Sequence, residues 1–195
     1  MSERILNVNR EADYGGRHFR STLEAQTAKT LDAMGIPYDY EKRKIELVEG
    51  FRSPFQKEKV RSITYTPDFE IGPIILECKG FETPEWKIKK KLLFKYLQEN
   101  EPESIFYQIH DARKSLLEML DKHWTYLGYA IQVTPKPLKK KNSTQTSTSF
   151  LYDSIQQAMS ELGIKGKPIG AILKSLIRKT DWVYGYNWKL IKIKL

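Results

Sequence analysis

The chain has 195 residues, 40% of them hydrophobic, and a net charge of +9 at pH 7. That is enough for one ordinary domain with a small appendage and a packed core, which argues against wholesale disorder, and a single cysteine excludes an internal disulfide framework or a CxxC zinc site. No apolar run approaches the ~18 residues of a membrane span and the stretch MSERILNVNREADYGGRHFR lacks the apolar core of a secretory signal, so a reducing cytoplasm is the expected compartment and no membrane partner is expected.

The charge is unevenly placed. Residues 136–195 hold twelve of the 33 Lys and Arg and only three of the 24 acids, which leaves 21 of each sign, net zero, in residues 1–135. A basic excess confined to one segment is the footprint of a module that binds a polyanion.

Taken in chain order, Ser21 to Met34 reads as a helix, with Leu23, Thr27, Leu31 and Met34 at helical spacing and Gly35 as its stop. Strands are predicted over Tyr38–Val48, Ile63–Ile71 and Ile74–Lys79, the last two joined at Gly72-Pro73. Thr83-Pro84-Glu85 opens a second helix: a capping hydroxyl, a proline in the first turn and an acid at the positive end of the dipole. That helix sets Trp86, Leu93 and Leu97 on one side and lysines on the other, with Lys87, Lys91 and Lys95 in one stripe. A strand over Ser104–Ile109, a helix from Ala112 to about Leu127 and a strand over Tyr129–Val133 follow. The order predicts an α/β fold, a mixed sheet flanked by helices.

Two carboxylates interrupt this pattern. Asp68 follows a proline near the end of one strand, and Glu77 lies in the apolar run Ile75-Leu76-Glu77-Cys78-Lys79. Alternation puts Glu77 and Lys79 on one face and Leu76 and Cys78 on the other, so Cys78 reads as a small buried hydrophobe. The hairpin brings Asp68 beside Glu77. Two converging carboxylates repel, and burial adds to the cost unless a cation neutralises them. Oxygen ligands favour a hard divalent ion such as Mg²⁺, for which Mn²⁺ is the expected substitute. Lys79 alongside is placed to orient a water or hold a phosphate oxygen. No His/Cys cluster, Gly-rich phosphate loop or Ser/His/Asp spacing points to other chemistry, and no organic cofactor is expected.

Pro67-Asp68 followed by Glu77-Cys78-Lys79 resembles the PD-(D/E)XK nuclease motif. Phe19-Arg20-Ser21-x-Leu23-Glu24, Thr64-Tyr65-Thr66-Pro67-Asp68-Phe69 and Glu77-x-Lys79-Gly80 together resemble the bacteriophage endonuclease I group, which resolves Holliday junctions. The similarity spans roughly residues 17–98. It implies a restriction-endonuclease-like core, a phage gene expressed in a bacterial host, and one site built from Glu24, Asp68, Glu77 and Lys79. It also implies a metal held by Asp68, Glu77 and the Cys78 carbonyl, with Glu24 at a second ion or its water shell. Arg20, Lys87 and Lys91 are then expected on the DNA backbone, and His18 near it. One departure stands out: the basic, polar stretch FRSPFQKEKVRS occupies the place where the resolvases carry the bridge of a swapped dimer, so a homodimer is possible without that exchange being implied.

The stretch PKPLKKKNSTQTSTS, residues 135–149, reads as a linker between a catalytic domain, residues 1–134, and a basic module, residues 150–195. In the module a short strand at Phe150, a helix over Ser154–Leu162, a second helix opening at Lys167-Pro168 and an aromatic hairpin or strand near Gly185-Tyr186-Asn187-Trp188 are predicted. Helix, short turn, helix is the layout of a DNA-reading helix-turn-helix, with Lys165, Lys167, Lys174, Arg178 and Lys179 as its exposed cations. The pattern resembles the small DNA-binding repeats of homing endonucleases. Three readings follow. The first is a metal-dependent homing endonuclease cutting double-stranded DNA at a long site, the second a resolvase selective for branched DNA, and the third a DNA-binding protein without catalysis.

Overall fold

The structure, a computed structural model, describes residues 11–137, 148–166, 169–179 and 182–193. The elements are β1 (Ala12–Tyr14), β2 (Arg17–Phe19), α1 (Thr22–Met34), β3 (Asp39–Tyr40), β4 (Ile45–Val48), β5 (Phe51–Arg52), β6 (Lys59–Val60) and β7 (Ile63–Tyr65). They continue with β8 (Phe69–Ile71), β9 (Ile74–Cys78), α2 (Pro84–Asn100), β10 (Ile105–Ile109), α3 (Lys114–Asp121) and β11 (Tyr129–Pro135). The remainder is β12 (Phe150–Tyr152), α4 (Ile155–Glu161), α5 (Ile169–Arg178) and β13 (Tyr186–Lys192). The α/β character expected from the sequence is present. The described residues form two compact units, one drawn from Met1–Gln26 and Pro37–Asp111, the other from Thr27–Ile36 and Ala112–Leu195.

The first unit is built on a four-stranded mixed sheet in the order β10-β9-β8-β3, in which β9 and β10 are parallel and the other pairs antiparallel. β9 is central because its residues are apolar on both faces: Ile74, Ile75 and Leu76 are fully buried. β8 turns into β9 through Gly72-Pro73. Gly72 takes a φ of +57, which a glycine adopts at no steric cost. α2 makes the crossover to the parallel β10. Its N-terminus is fixed as the sequence predicts, with Thr83 Oγ1 accepting from the Trp86 amide at 3.2 Å. The stripe of Trp86, Leu93 and Leu97 packs against Ile45, Tyr65 and Ile75; each such burial is worth about 2 kcal/mol. Two smaller pairs, β4 with β7 and β5 with β6, and the hairpin β1–β2 complete the unit's sheets.

Two of the predicted strands are broken. Tyr38–Val48 divides into β3 and β4, which join different sheets; between them Glu41 turns into the left-handed region at φ +45. There Arg43 is held by Glu70 at 2.7 Å and by both Glu101 oxygens, at 2.7 and 2.9 Å. Ile63–Ile71 divides at Thr66-Pro67-Asp68, where the proline has no N–H to give a ladder and the Asp68 carbonyl accepts instead from the Glu41 amide. The stretch expected as an insertion, residues 49–62, is a hairpin of β5 and β6.

In the second unit, β11 is the middle strand of a three-stranded antiparallel sheet, β12-β11-β13. The strand predicted as the last of the catalytic domain therefore pairs with residues on the far side of the expected linker, of which 138–147 lie outside the described residues. The helix expected to run to Leu127 ends at Asp121, whose carboxylate accepts from Trp124 Nε1 at 3.0 Å and from the Ile155 amide at 2.8 Å. That second bond sits at the start of α4, and Ser154 Oγ caps the same helix by accepting from the Gln157 amide. α4 and α5 follow one another in sequence and touch each other, and both pack with this sheet, α4 against β11 and β12 and α5 against β13. Trp124, Leu116, Leu120, Ile131 and Ile172 are among its fully buried side chains.

Candidate active site

Asp68 sits just before β8, Glu77 on β9 and Lys79 just after it, so the antiparallel pairing of β8 with β9 brings all three to one place. They line a cleft of about 510 Å³ together with Glu24 from the first turn of α1, Arg20 from the segment before it and Cys78. Asp68, Glu77 and Glu24 are 6%, 4% and 5% exposed, three carboxylates withdrawn from water.

Each carboxylate is held differently. The Cys78 amide donates to Asp68 Oδ2 at 2.7 Å, which fixes that oxygen; the other, Oδ1, faces Arg20 Nη2 at 3.5 Å. The Tyr65 hydroxyl donates to Glu77 Oε2 at 2.8 Å, and Lys79 Nζ stands 3.5 Å from Glu77 Oε1. Both cations are farther than the 2.7–2.9 Å or so of a tight charged hydrogen bond. Arg20 is also committed to an ion pair with Glu41. Lys79 lies 5.2 Å from the centre of the Trp86 ring, a cation–π contact that keeps its ammonium beside the cleft. Its backbone is anchored by a bond from its amide to the Ile109 carbonyl and by His110 Nδ1 on its own carbonyl.

The result is an excess of buried negative charge. Burial, and then the neighbouring Glu77 carboxylate, push the Asp68 carboxyl up to about 8. Burial raises the Glu77 carboxyl too, against the Tyr65 hydrogen bond and the Lys79 charge, which act the other way. Tyr65 is held in its protonated form by burial first and the Glu77 charge second.

Glu24 reaches the cleft by another route. Ser21-x-x-Glu24 has the spacing of a capping box and makes its first bond, the Glu24 amide donating to Ser21 Oγ at 3.2 Å, while the Ser21 hydroxyl donates to Glu24 Oε1 at 2.7 Å. The Tyr40 hydroxyl donates to Glu24 Oε2 at 2.6 Å and the Arg20 amide to the same oxygen at 3.1 Å. Burial, then this bond, push the Tyr40 hydroxyl up to about 12. Among the described residues no group of three or more His, Cys, Asp or Glu side chains is gathered closely enough to hold an ion by itself. Asp68 and Glu77 are the pair that converges, and Glu24 lines the same cleft with its oxygens already engaged.

The remaining expected DNA contacts lie elsewhere. Lys87 and Lys91 are exposed on α2 and do not line the cleft, whereas Lys89 does. Lys165, Lys174, Arg178 and Lys179 are exposed in the second unit, and Lys167 lies outside the described residues. His18 is exposed on β2, paired with Asp13 at 2.9 Å.

The sequence model of the phage endonuclease I family matches residues 7–117. The chain belongs to the phage endonuclease I family. The match contains every cleft residue named above and ends inside α3, before β11 and the basic segment. No curated protein and no solved structure matches the chain. Membership makes the chain a nuclease of endonuclease type with DNA as its substrate class, and no described helix is long and apolar enough to cross a membrane.

Phage endonuclease I membership does not by itself indicate which other side chains shape the cleft. Tyr65, Tyr40, Trp86, Lys44 and Lys89 were not singled out for it from sequence. Alternation gives no signal for Tyr65, which stands three residues before Asp68 and so on the opposite face of an unbroken strand; the break at Thr66-Pro67 brings it in. Tyr40 and Lys44 are brought in by the break between β3 and β4, which periodicity does not show.

Proposed function

We propose that the chain is a Mg²⁺-dependent endodeoxyribonuclease of the PD-(D/E)XK superfamily, hydrolysing phosphodiester bonds at a long duplex site in the manner of a homing endonuclease. One observation carries the hydrolytic reading: two buried carboxylates, Asp68 and Glu77, face one cleft with Lys79 in a stretch that matches an endonuclease family.

The donor set fits a hard divalent ion. It offers carboxylate oxygens and a backbone carbonyl, and its carboxyl protons are held more tightly than usual because both groups are buried and, at Asp68, because Glu77 lies beside it. Asp68, Glu77 and the Cys78 carbonyl would hold the ion, with Glu24 toward a second ion or its water shell. When bound, the ion supplies charge to the scissile phosphate and lowers the pKa of the attacking water. The protein's own groups do the rest. The Cys78 amide and the Tyr65 hydroxyl fix one oxygen of each carboxylate, leaving Asp68 Oδ1 and Glu77 Oε1 directed at Arg20 and Lys79. Lys79, steadied over Trp86, places an ammonium where negative charge grows on phosphorus and can orient the nucleophile. The basic second unit, outside the family match, supports the homing reading, since a tethered reader turns two weak contacts into one stronger one.

The family match itself favours a second reading, a structure-selective resolvase acting on branched DNA as a dimer. Incubating the full chain with Mg²⁺, a plain duplex library and a synthetic four-way junction separates the two. Cleavage of linear duplex at one long site is expected. Symmetric nicking of the junction alone would establish the resolvase reading, and inactivity on both would leave a DNA-binding protein. Asp68→Asn and Glu77→Gln are expected to abolish cleavage and spare binding; native cleavage by Asp68→Asn would remove the site assignment.

A further inference from the structure

The hairpin β5–β6 lies between the paired strands β4 and β7, and its sequence is neither a core segment nor an ordinary polar loop. Phe55 at its tip is 96% exposed, and Phe51 on β5 is half exposed. The tip is ordered nonetheless. The Phe55 amide donates to Ser53 Oγ at 3.2 Å, and Gln56 Nε2 donates to the Glu58 carbonyl at 3.1 Å. The base is clamped too. A Cβ on Gly50 would lie 2.9 Å from both the Ser62 nitrogen and the Val60 oxygen, so only glycine permits that approach of backbones. An aromatic ring presented to water from a hydrogen-bonded turn can meet a partner without first ordering the backbone that carries it.

Charge says what the arm meets. Arg52 and Lys59 are direct cross-strand partners. Like charges opposite one another destabilise a hairpin, unless an anion lies against them. Alternation puts Arg61 on the face of Lys59. Lys59 and Arg61 line a groove of about 480 Å³ together with Lys44, Thr64 and the acids Glu46 and Glu49. Lys44 and Thr64 also line the cleft of Asp68 and Glu77, so the two depressions share a border.

We propose that the β5–β6 arm is a DNA-binding element. Its cationic face follows the phosphate backbone out of the cleft, and Phe55 stacks into an opened base step beside the cut site. Apolar wedges on basic elements act in this way when a protein kinks or unstacks a duplex. The proposal rests on the reading of the cleft as a DNA-hydrolysing site.

The test uses the full chain with duplex and four-way-junction DNA carrying 2-aminopurine at successive positions. Fluorescence and binding are read in EDTA, and cleavage is read in Mg²⁺. The unaltered protein is expected to raise the fluorescence at one step. Phe55→Ala should bind within about threefold but give no rise and cut about tenfold more slowly, the scale of one lost base–aromatic stack. Phe55→Trp should restore cleavage. Arg52→Ala with Lys59→Ala should weaken binding and reduce its salt dependence. An unchanged fluorescence rise and rate in Phe55→Ala would overturn the wedge while the cleft reading stands. A lower oligomeric mass for Phe55→Ala by light scattering, with fluorescence unchanged, would overturn it in favour of an interface between copies. Failure of the unaltered protein to bind or cut any DNA would overturn the cleft reading and the proposal with it.

Discussion

Asp68 is costly to the protein that carries it. Its carboxyl binds a proton more tightly when folded, up to about 8, chiefly because it is buried and then because Glu77 lies beside it. A carboxyl whose pKa rises on folding favours the folded state at low pH and penalises it as pH climbs from the unfolded value toward the folded one. The Arg43–Glu101 pair acts oppositely, since Arg43 holds the Glu101 carboxyl below its ordinary value, and its contribution is lost only in acid. Between about pH 5.5 and 8.5 the cleft carboxylates therefore dominate. In EDTA the Tm should fall across that window, and Asp68→Asn should flatten the fall and stabilise the protein at the upper end by about 1–4 kcal/mol. A Tm rising with pH in the unaltered protein would refute the account. Asparagine keeps the acceptor for the Cys78 amide, so the substitution tests charge and leaves that bond. Tyr65 acts through Glu77. Tyr65→Phe removes the 2.8 Å bond and should weaken Mn²⁺ binding, measured by calorimetry, by about 10–100-fold, the usual effect of losing a partner behind a ligand. Native Mn²⁺ affinity in that variant would leave Tyr65 as packing alone.

Elements with a local cause were readable, and elements with a distant cause were not. α2 was legible because Thr83-Pro84 starts it and Trp86, Leu93 and Leu97 mark its inner side, all within one short stretch. β9 was legible because a run of apolar residues flanked by Gly-Pro has few other fates. Asp68 and Glu77 were legible as candidates because charge stands where the pattern asks for leucine. The break between β3 and β4 was hidden, because it depends on Arg43 meeting Glu70 and Glu101 far along the chain. The end of α3 was hidden for the same reason: Asp121 reads as one more polar helix residue until Ile155 arrives on it. That bond gives an element-level prediction. Asp121→Ala leaves the Ile155 amide and Trp124 Nε1 without their acceptor in a buried place and should cost about 1.5–3 kcal/mol, read from urea melts. A loss under about 0.5 kcal/mol would show that α4 holds its start without it.

The chain as a whole joins a family-matched stretch that ends at residue 117 to a basic segment that the match does not reach. A truncation at residue 136 would not test the second part cleanly. It would strip β12 and β13 from β11 and leave a strand rich in buried apolar residues with both edges open. Charge substitutions on the surface avoid that difficulty. Lys165, Lys174, Arg178 and Lys179 are exposed, so replacing all four by glutamine leaves the packing of α5 intact. If each touches a phosphate, the slope of log affinity against log salt becomes shallower by about 3.6, because each neutralised phosphate contributes about 0.9. Anisotropy titrations between about 50 and 200 mM salt resolve such a change. Site preference should fall with it if α5 reads bases, and should persist if these cations supply only general affinity. The same four substitutions leave the Asp68–Glu77 cleft untouched, so cleavage at low salt should continue. An unchanged slope would mean that the basic excess of the last sixty residues serves something other than DNA. The cleft would then have to find its site with the first unit's own cations.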